Sequence, residues 1–309
     1  MMKIFIELPS WLGDAVMTSP TIENLVNFFV DVEITLMGSL VAIEALQEHP
    51  KVIKTYVLDK NYFNLYKTVK SLDEFDLFLS FRSSFRSRFL KFWMPSKRKY
   101  QFKKAKFIKG HQVEKYNYFV NESLNINTIP GKLKLHFEAR GKVKNKKLLG
   151  INPGASYGSS KRWYPEEFAN VACELSNEYD IIIFGGLDEK DIAQDIERCL
   201  IEKDVYNYQN LAAKTSIKEL IVQISNLDLC ITGDSGPMHL AAALQIPSIT
   251  IFGPTRDNET SQWKNEKSLI VKKNLDCQPC MKRHCPLDHH NCMKLIKAEE
   301  VIKAVATFN

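Results

Sequence analysis

Leu227-Asp228-Leu229-Cys230-Ile231-Thr232-Gly233-Asp234-Ser235-Gly236-Pro237-Met238-His239 runs from an apolar stretch, through a turn bracketed by two glycines, into helix formers as far as Leu244. A short apolar run bounded by turn residues reads as a buried strand, and the turn that follows opens a helix. Backbone N–H groups and the helix dipole at such a turn make a ready diphosphate site. Asp234 in that position either caps the helix, holds a sugar hydroxyl or orients a donor. His239 falls inside the helix, where a hydrogen-bonded structural role and a catalytic one are equally open.

The same strand–turn–helix unit recurs on both sides of this stretch. Lys147–Asn152 is a strand that leaves through Asn152-Pro153-Gly154-Ala155-Ser156, small residues that let a ligand approach the backbone. Lys161-Arg162-Trp163 comes just before a helix opened by Pro165-Glu166-Glu167, and its two cations suit phosphate oxygens. Asp180–Phe184 is a strand ending at Gly185-Gly186-Leu187-Asp188-Glu189, where an acid can accept ribose hydroxyls. Ser248–Phe252, followed by Gly253-Pro254, closes the series. Toward the N-terminus, Lys3–Leu8 is a strand, Pro9–Asp14 a turn and Ala15 to about Phe29 a helical pattern. Val32–Met37, Val52–Leu58 and Leu77–Phe81 are further strands, with a short helix over Ala42–Leu46. This alternation predicts an α/β fold of two Rossmann-like, doubly wound domains facing a central cleft, with ligands at the carboxyl ends of the strands. The polar stretch Ala139–Lys147 reads as the linker, dividing the chain into 1–146 and 147–309.

The first turn has one glycine, Gly13, where a dehydrogenase carries Gly-x-Gly-x-x-Gly, so a nicotinamide cofactor is disfavoured. Asp14 lies at the start of the helix that follows. The residues alone favour a helix cap there, with a general base in a sheet-end cleft as the alternative.

The chain has 309 residues, 45% hydrophobic and 25% charged, an ordinary globular balance long enough for two cores. No stretch approaches the roughly 20 apolar residues of a membrane span, and the N-terminal apolar run is too short and too soon acidic for a secretory signal. A cytoplasmic protein is expected. Charge is split unevenly: residues 1–146 carry 24 Lys/Arg against 14 Asp/Glu, and the rest 18 against 22. Between Leu77 and Val113 there is no acid at all, while Arg82, Arg86, Arg88, Lys91 and seven further cations alternate with aromatic residues. Such a patch is either a solvated basic face or an attractor of polyanions: nucleic acid, an anionic membrane surface or a phosphorylated or carboxylated substrate. No nucleic-acid recognition motif accompanies it, and none is expected as a partner.

Of seven cysteines, Cys173, Cys199 and Cys230 sit in apolar patterns and read as core. The others form Cys277-x2-Cys280-x4-Cys285-x6-Cys292, with His284, His289 and His290 among them. Four such residues can build a tetrahedral site, although the second pair lacks the spacing of a zinc ribbon; packed or redox-active thiols are the alternative.

Four separated turns, in order, resemble the ADP-heptose:lipopolysaccharide heptosyltransferases of glycosyltransferase family 9. They are Pro9-Ser10-Trp11-Leu12-Gly13-Asp14, Asn152–Ala155 with Lys161-Arg162-Trp163, Gly233–Ala243, and Phe252-Gly253-Pro254-Thr255. The first is closer to the type II members than to type I, as is Ser83-Ser84-Phe85-Arg86-Ser87. The resemblance covers most of the chain and implies a GT-B fold, with an N-terminal acceptor domain, onto which the last helix can cross back, and a C-terminal donor domain. It implies inverting transfer of heptose from ADP-heptose, in type II members onto the first heptose of a Kdo-lipid A acceptor. Asp14 then becomes the base, reversing the preference for a cap, and Lys161 neutralises the departing ADP. Asn152, Gly154, Lys161, Asp234, Ser235, Gly236 and His239 would bind the donor, with Glu189 or its neighbour Asp188 at the ribose. Ser10, Trp11, Gly13, Arg82 and Arg86 would face the acceptor. No metal or other cofactor is implied for catalysis, and the basic aromatic segment would rest on the inner leaflet, making the protein peripheral to the inner membrane. Other family 9 transferases of type I or III are one alternative, because acceptor choice lives in loops; a basic nucleic-acid-binding module is the alternative from a different class, although it leaves the Gly233–Ala243 turn unexplained.

Overall fold

The computed structural model describes residues 1–107, 109–139, 141 and 145–308. It divides into two units, Met1–Phe137 and Glu138–Asn309. Residues 140 and 142–144 of the expected linker lie outside the described residues.

In the first unit, strands β1 (Met2–Glu7), β2 (Val32–Gly38), β3 (Val52–Val57), β4 (Phe75–Ser80) and β5 (Ser96–Gln101) form one sheet in the order β3-β2-β1-β4-β5. All its pairings are parallel. Helices α1 (Leu12–Val16), α2 (Ser19–Phe29), α3 (Leu40–Leu46), α4 (Tyr62–Lys70), α5 (Phe85–Trp93) and α6 (Gln112–Leu124) supply the crossovers and flanks. Ile4, Phe5 and Ile6 of β1 are fully buried, as an apolar central strand covered on both faces requires. Phe5 opposes Thr35 on one side and Phe78 on the other. The helical pattern from Ala15 to Phe29 is broken at Met17–Thr18. Pro20, the second residue of α2, supplies no N–H, and Thr18 Oγ1 turns back to Ala15 O at 2.6 Å.

The second unit repeats the plan with β6 (Lys147–Asn152), β7 (Tyr179–Ile183), β8 (Tyr208–Asn210), β9 (Leu229–Gly233), β10 (Ser248–Phe252) and β11 (Ser268–Lys272), ordered β11-β10-β9-β6-β7-β8. Its strands are likewise parallel. Helices α7 (Pro165–Leu175), α8 (Lys190–Ile201), α9 (Ile217–Ser225), α10 (Gly236–Ala243), α11 (Asp257–Thr260), α12 (Asn291–Lys294) and α13 (Ala298–Val305) pack around it. The two α/β units have the expected Rossmann-like form. The final helix, a candidate for crossing back to the first domain, packs here on α7 because Ala298, Val301 and Val305 complete this unit's core. Trp163 anchors the same core: it is buried against Phe168, and its Nε1 donates to Ile296 O at 3.0 Å. Among the described residues no helix is long and apolar enough to cross a membrane.

In each sheet the chain reverses its winding at one place, between β1 and β4 and between β6 and β9. Crevices outside the carboxyl ends of strands open at such switch points, which is where an open α/β sheet binds ligands.

Candidate functional site

At the β6/β9 switch point, Asn152 ends β6 fully buried. Its Nδ2 donates to Thr232 Oγ1 at 3.4 Å and Ser235 Oγ at 3.0 Å, joining the two strand ends. Ser235 is the N-cap of α10 in extended geometry, yet its hydroxyl makes no capping bond. The N-terminal N–H groups of α10 are therefore not taken by the cap side chain and point outward with the helix dipole. Asp234, immediately before, is buried. Its Oδ2 accepts from Thr255 Oγ1 at 2.6 Å and pairs with Lys161 Nζ at 2.5 Å. Lys161 Nζ also donates to Asp234 O at 3.3 Å and lies 4.7 Å from the centre of the Tyr157 ring. Trp163 in the core and buried Ser160 fix the backbone on either side of this ammonium group. The Lys161 ammonium group, paired with Asp234, is thus held beside the N-terminus of α10.

The β7 turn adds a carboxylate. Glu189 is buried, and its Oε2 accepts the Gly186 N–H at 2.6 Å. It lies so close to Gly154 that a Cβ there would stand 2.0 Å from Glu189 Cδ, so any larger residue on the β6 loop would displace the Glu189 side chain. Asp188 is exposed on the same turn, and its carbonyl accepts from Arg162 at 3.3 Å. His239 is buried within α10, three residues past the helix start.

At the β1/β4 switch point the organising group is Glu7, fully buried at the end of β1. Its Oε2 accepts from Ser80 Oγ at 2.6 Å and its Oε1 from Ser87 Oγ at 2.9 Å, with Arg82 Nε 3.8 Å away. Burial pushes its carboxyl pKa up, against the pull of Ser80, Arg82, Ser87 and Arg86. Ser84 caps α5 by accepting from Ser87 N at 3.2 Å, so Ser83–Ser87 forms the start of a helix. Arg86 donates to Lys60 O at 3.3 Å and stacks over Tyr62. The cap of α1 is Trp11, extended at φ −87° and ψ 143°, so Asp14 is not the cap that the residues alone favour. The helix begins three residues earlier than expected, at Leu12, which puts Asp14 in its first turn, where the dipole stabilises a carboxylate. Asp14 is half-buried and close enough to the buried Tyr116 hydroxyl to add to the rise that burial imposes on that group's pKa. Gly13 is buried, whereas Ser10 is exposed and Trp11 is 52% exposed.

The profile of glycosyltransferase family 9 (heptosyltransferase) matches residues 65–291. The lipooligosaccharide heptosyltransferase 2 of Campylobacter jejuni serotype O:2 is 42% identical over 312 residues, covering 98% of this chain and 97% of its own. The chain belongs to glycosyltransferase family 9. It is a glycosyltransferase. A more distant member, the lipooligosaccharide heptosyltransferase 2 of Haemophilus influenzae, is 25% identical and covers 87% and 88% of the two chains. The crystallised Escherichia coli ADP-heptose lipopolysaccharide heptosyltransferase II has the same fold, with a TM-score of 0.81 at 20% identity, covering 99% and 98%.

Within this family 9 member, the second unit brings Asn152, Gly154, Lys161, Glu189, Asp234 and Ser235 to adjoining strand ends. The first unit brings Glu7 and Arg82 together, while Arg86 is bound to the loop before α4. Sequence reasoning missed Glu7 and the contact made by Thr255. An acid closing the otherwise apolar Lys3–Leu8 run, opposite an acid-free basic segment, was the available signal for Glu7. Thr255 stood in the sequence as the end of the Phe252–Thr255 turn, but its contact with Asp234 did not, because only the fold puts the β10 loop beside that residue.

Proposed function

We propose that the chain transfers a heptose from ADP-heptose to the first heptose of a lipopolysaccharide or lipooligosaccharide inner core, with inversion at the anomeric carbon. The observation that carries this reading is the 42% identity to a heptosyltransferase 2 across nearly the whole of both chains. The acceptor hydroxyl attacks the anomeric carbon, its proton passes to Asp14, and the bond to the diphosphate oxygen breaks. The departing ADP gains negative charge, which Lys161 and the N–H groups of α10 stabilise. Ser235 and Gly236 bind the diphosphate and Asp234 the donor sugar. Asn152 orients the Ser235 hydroxyl, Gly154 lets the nucleotide lie against the backbone, and His239 supports the helix beneath it. Glu189, buried beside Gly154, suits the ribose better than exposed Asp188.

Metal is not needed in this scheme, since one base and one cation account for both proton and leaving group. Ser10, Trp11 and Gly13 line the acceptor side, and Arg82 and Arg86 meet its phosphates and Kdo carboxylates. Exposed Phe63, Phe85 and Phe92 on α4 and α5, set among Lys67, Arg88 and Lys91, support peripheral docking on an anionic inner leaflet.

The test is mass spectrometry of acceptors incubated with ADP-heptose. A gain of one heptose on Kdo-lipid A already bearing one heptose is expected. Transfer only to the unheptosylated acceptor makes the type II assignment wrong, and transfer to neither rejects the reading.

A further inference from the structure

Between β11 and α12 the chain runs from Lys273 to His290 without a helix or strand. A coil of that length in a compact domain is usually a functional loop or one held by its neighbours. Here residues 281–284 are zipped, one after another, onto the loop that leads to Lys161. Tyr157 Oη donates to Met281 O at 2.8 Å, Ser160 Oγ to Lys282 O at 2.5 Å and Ser160 N to Arg283 O at 3.1 Å. Ser159 Oγ lies 2.9 Å from His284 Nδ1. Gly158, at φ +155°, passes so close that a Cβ there would stand 2.3 Å from Arg283 O. On its other side the coil is tied to the β10 loop, where Met281 N donates to Pro254 O at 2.9 Å. The backbone of Arg283 is therefore fixed by the same loop that positions Lys161.

The Arg283 side chain is exposed, and its guanidinium lies 5.6 Å from the centre of the Tyr157 ring. The Lys161 ammonium group is 4.7 Å from the centre of that ring. One half-buried tyrosine thus carries two cations, whose mutual repulsion an anion meeting both would relieve. Lys161 is paired with Asp234, so those two groups together are neutral. Arg162 donates instead to Asp188 O on the β7 turn. Among the described residues no carboxylate pairs with Arg283.

The charge to be met is larger than the Lys161–Asp234 pair can balance. A nucleotide-sugar diphosphate carries two negative charges. It gains a third when the bond to the anomeric carbon breaks and the electron pair stays on the phosphate oxygen. A helix N-terminus supplies about half a positive charge. Arg283 is the cation beside Lys161 whose charge is not already balanced. Its planar fork, charged at every working pH, matches phosphate oxygens in pairs.

We propose that Arg283 is a second cation for the donor diphosphate, held by the Tyr157 ring, donating to phosphate oxygens of ADP-heptose and stabilising the charge that grows on departing ADP. Lys161 keeps its place beside α10, and Arg283 adds the net positive charge that pairing with Asp234 removes. This inference rests on the transferase reading and gives the coil between β11 and α12 a part in donor binding.

The experiment is calorimetric titration of ADP into the full chain and into Arg283→Gln, Arg283→Lys and Lys282→Gln, at several salt concentrations. Arg283→Gln keeps the backbone carbonyl that holds Ser160, so its thermal midpoint should match that of the wild type. Its dissociation constant for ADP should be about tenfold higher, with a flatter salt dependence because one charge is lost. Arg283→Lys should recover part of the loss, since the charge returns without the planar fork. Lys282→Gln removes the neighbouring exposed cation and should leave ADP affinity unchanged. A loss in Lys282→Gln equal to that in Arg283→Gln would make the effect one of overall charge and overturn the proposal. Equal ADP affinity in Arg283→Gln and wild type would overturn it as well, leaving the transferase reading intact. A wild-type chain that binds no ADP overturns the transferase reading and this inference together.

Discussion

Gly154→Ala is the sharpest probe of how the β6/β9 site is assembled. The added methyl would lie 2.0 Å from Glu189 Cδ, 2.3 Å from Oε1 and 2.5 Å from Cγ, well inside contact distance. Backbone on both sides belongs to strand ends, so the Glu189 side chain must leave, and its 2.6 Å bond from the Gly186 N–H goes with it. Overpacking costs about 1–3 kcal/mol, and loss of a hydrogen bond to a charged group about 1.5–3 kcal/mol. Gly186 is exposed and water replaces part of that bond, which brings the sum to about 2–4 kcal/mol. For a unit of this size that corresponds to a fall of roughly 5–15 °C in thermal midpoint. Differential scanning calorimetry reads it directly. The double variant Gly154→Ala/Glu189→Ala removes the clash, so it should be no less stable than Glu189→Ala alone, a coupling of about 1–3 kcal/mol. Additive effects, or a Gly154→Ala protein as stable as wild type, would refute the packing described for these residues.

Three further outcomes follow from the same geometry. Lys161→Met leaves Asp234 buried with Thr255 as its remaining side-chain partner and should cost about 3–5 kcal/mol in denaturant unfolding, with Lys161→Met/Asp234→Asn recovering part of it. Glu7→Gln keeps an acceptor for the serines but removes the charge facing Arg82; KM for the acceptor should rise about tenfold, with KM for ADP-heptose unchanged in steady-state assays. Hydrogen bonds from His49, and then from His136 and Lys134, hold the Glu23 carboxyl well below its ordinary value of 4.5. A depressed folded-state pKa stabilises the fold above the unfolded value and loses that contribution as pH falls below it. The urea midpoint of the wild type should therefore drop more steeply from pH ~5 to ~3 than that of Glu23→Gln.

The doubly wound halves were legible because fully buried parallel strands read as apolar runs. Tyr179–Ile183 and Ser248–Phe252 stand out in this way, the first leading through Phe184 into Gly185-Gly186 and the second directly into Gly253. The edge strand Ser96–Gln101 did not, since Ser-Lys-Arg-Lys-Tyr-Gln carries no apolar run and reads as part of the basic segment. The start of α1 was misjudged because Trp11 caps it through backbone conformation alone, without the side-chain chemistry that marks a cap. Asn152, Lys161 and Asp234 were each visible as turn residues. Their mutual contacts were not, since the Lys161–Asp234 pair joins positions 73 residues apart. The burial of Glu189 against Gly154 likewise depends on how two loops pack, which spacing along the chain does not encode.

The central claim is that Asp14 takes the acceptor proton while the second unit holds ADP-heptose. The most direct measurement is the single-turnover rate of heptose transfer to a monoheptosylated Kdo-lipid A acceptor for wild type and Asp14→Asn, with ADP affinity of each measured by calorimetry. The account predicts a rate loss of more than about a hundredfold with unchanged ADP affinity. An Asp14→Asn enzyme that transfers at the wild-type rate would contradict it.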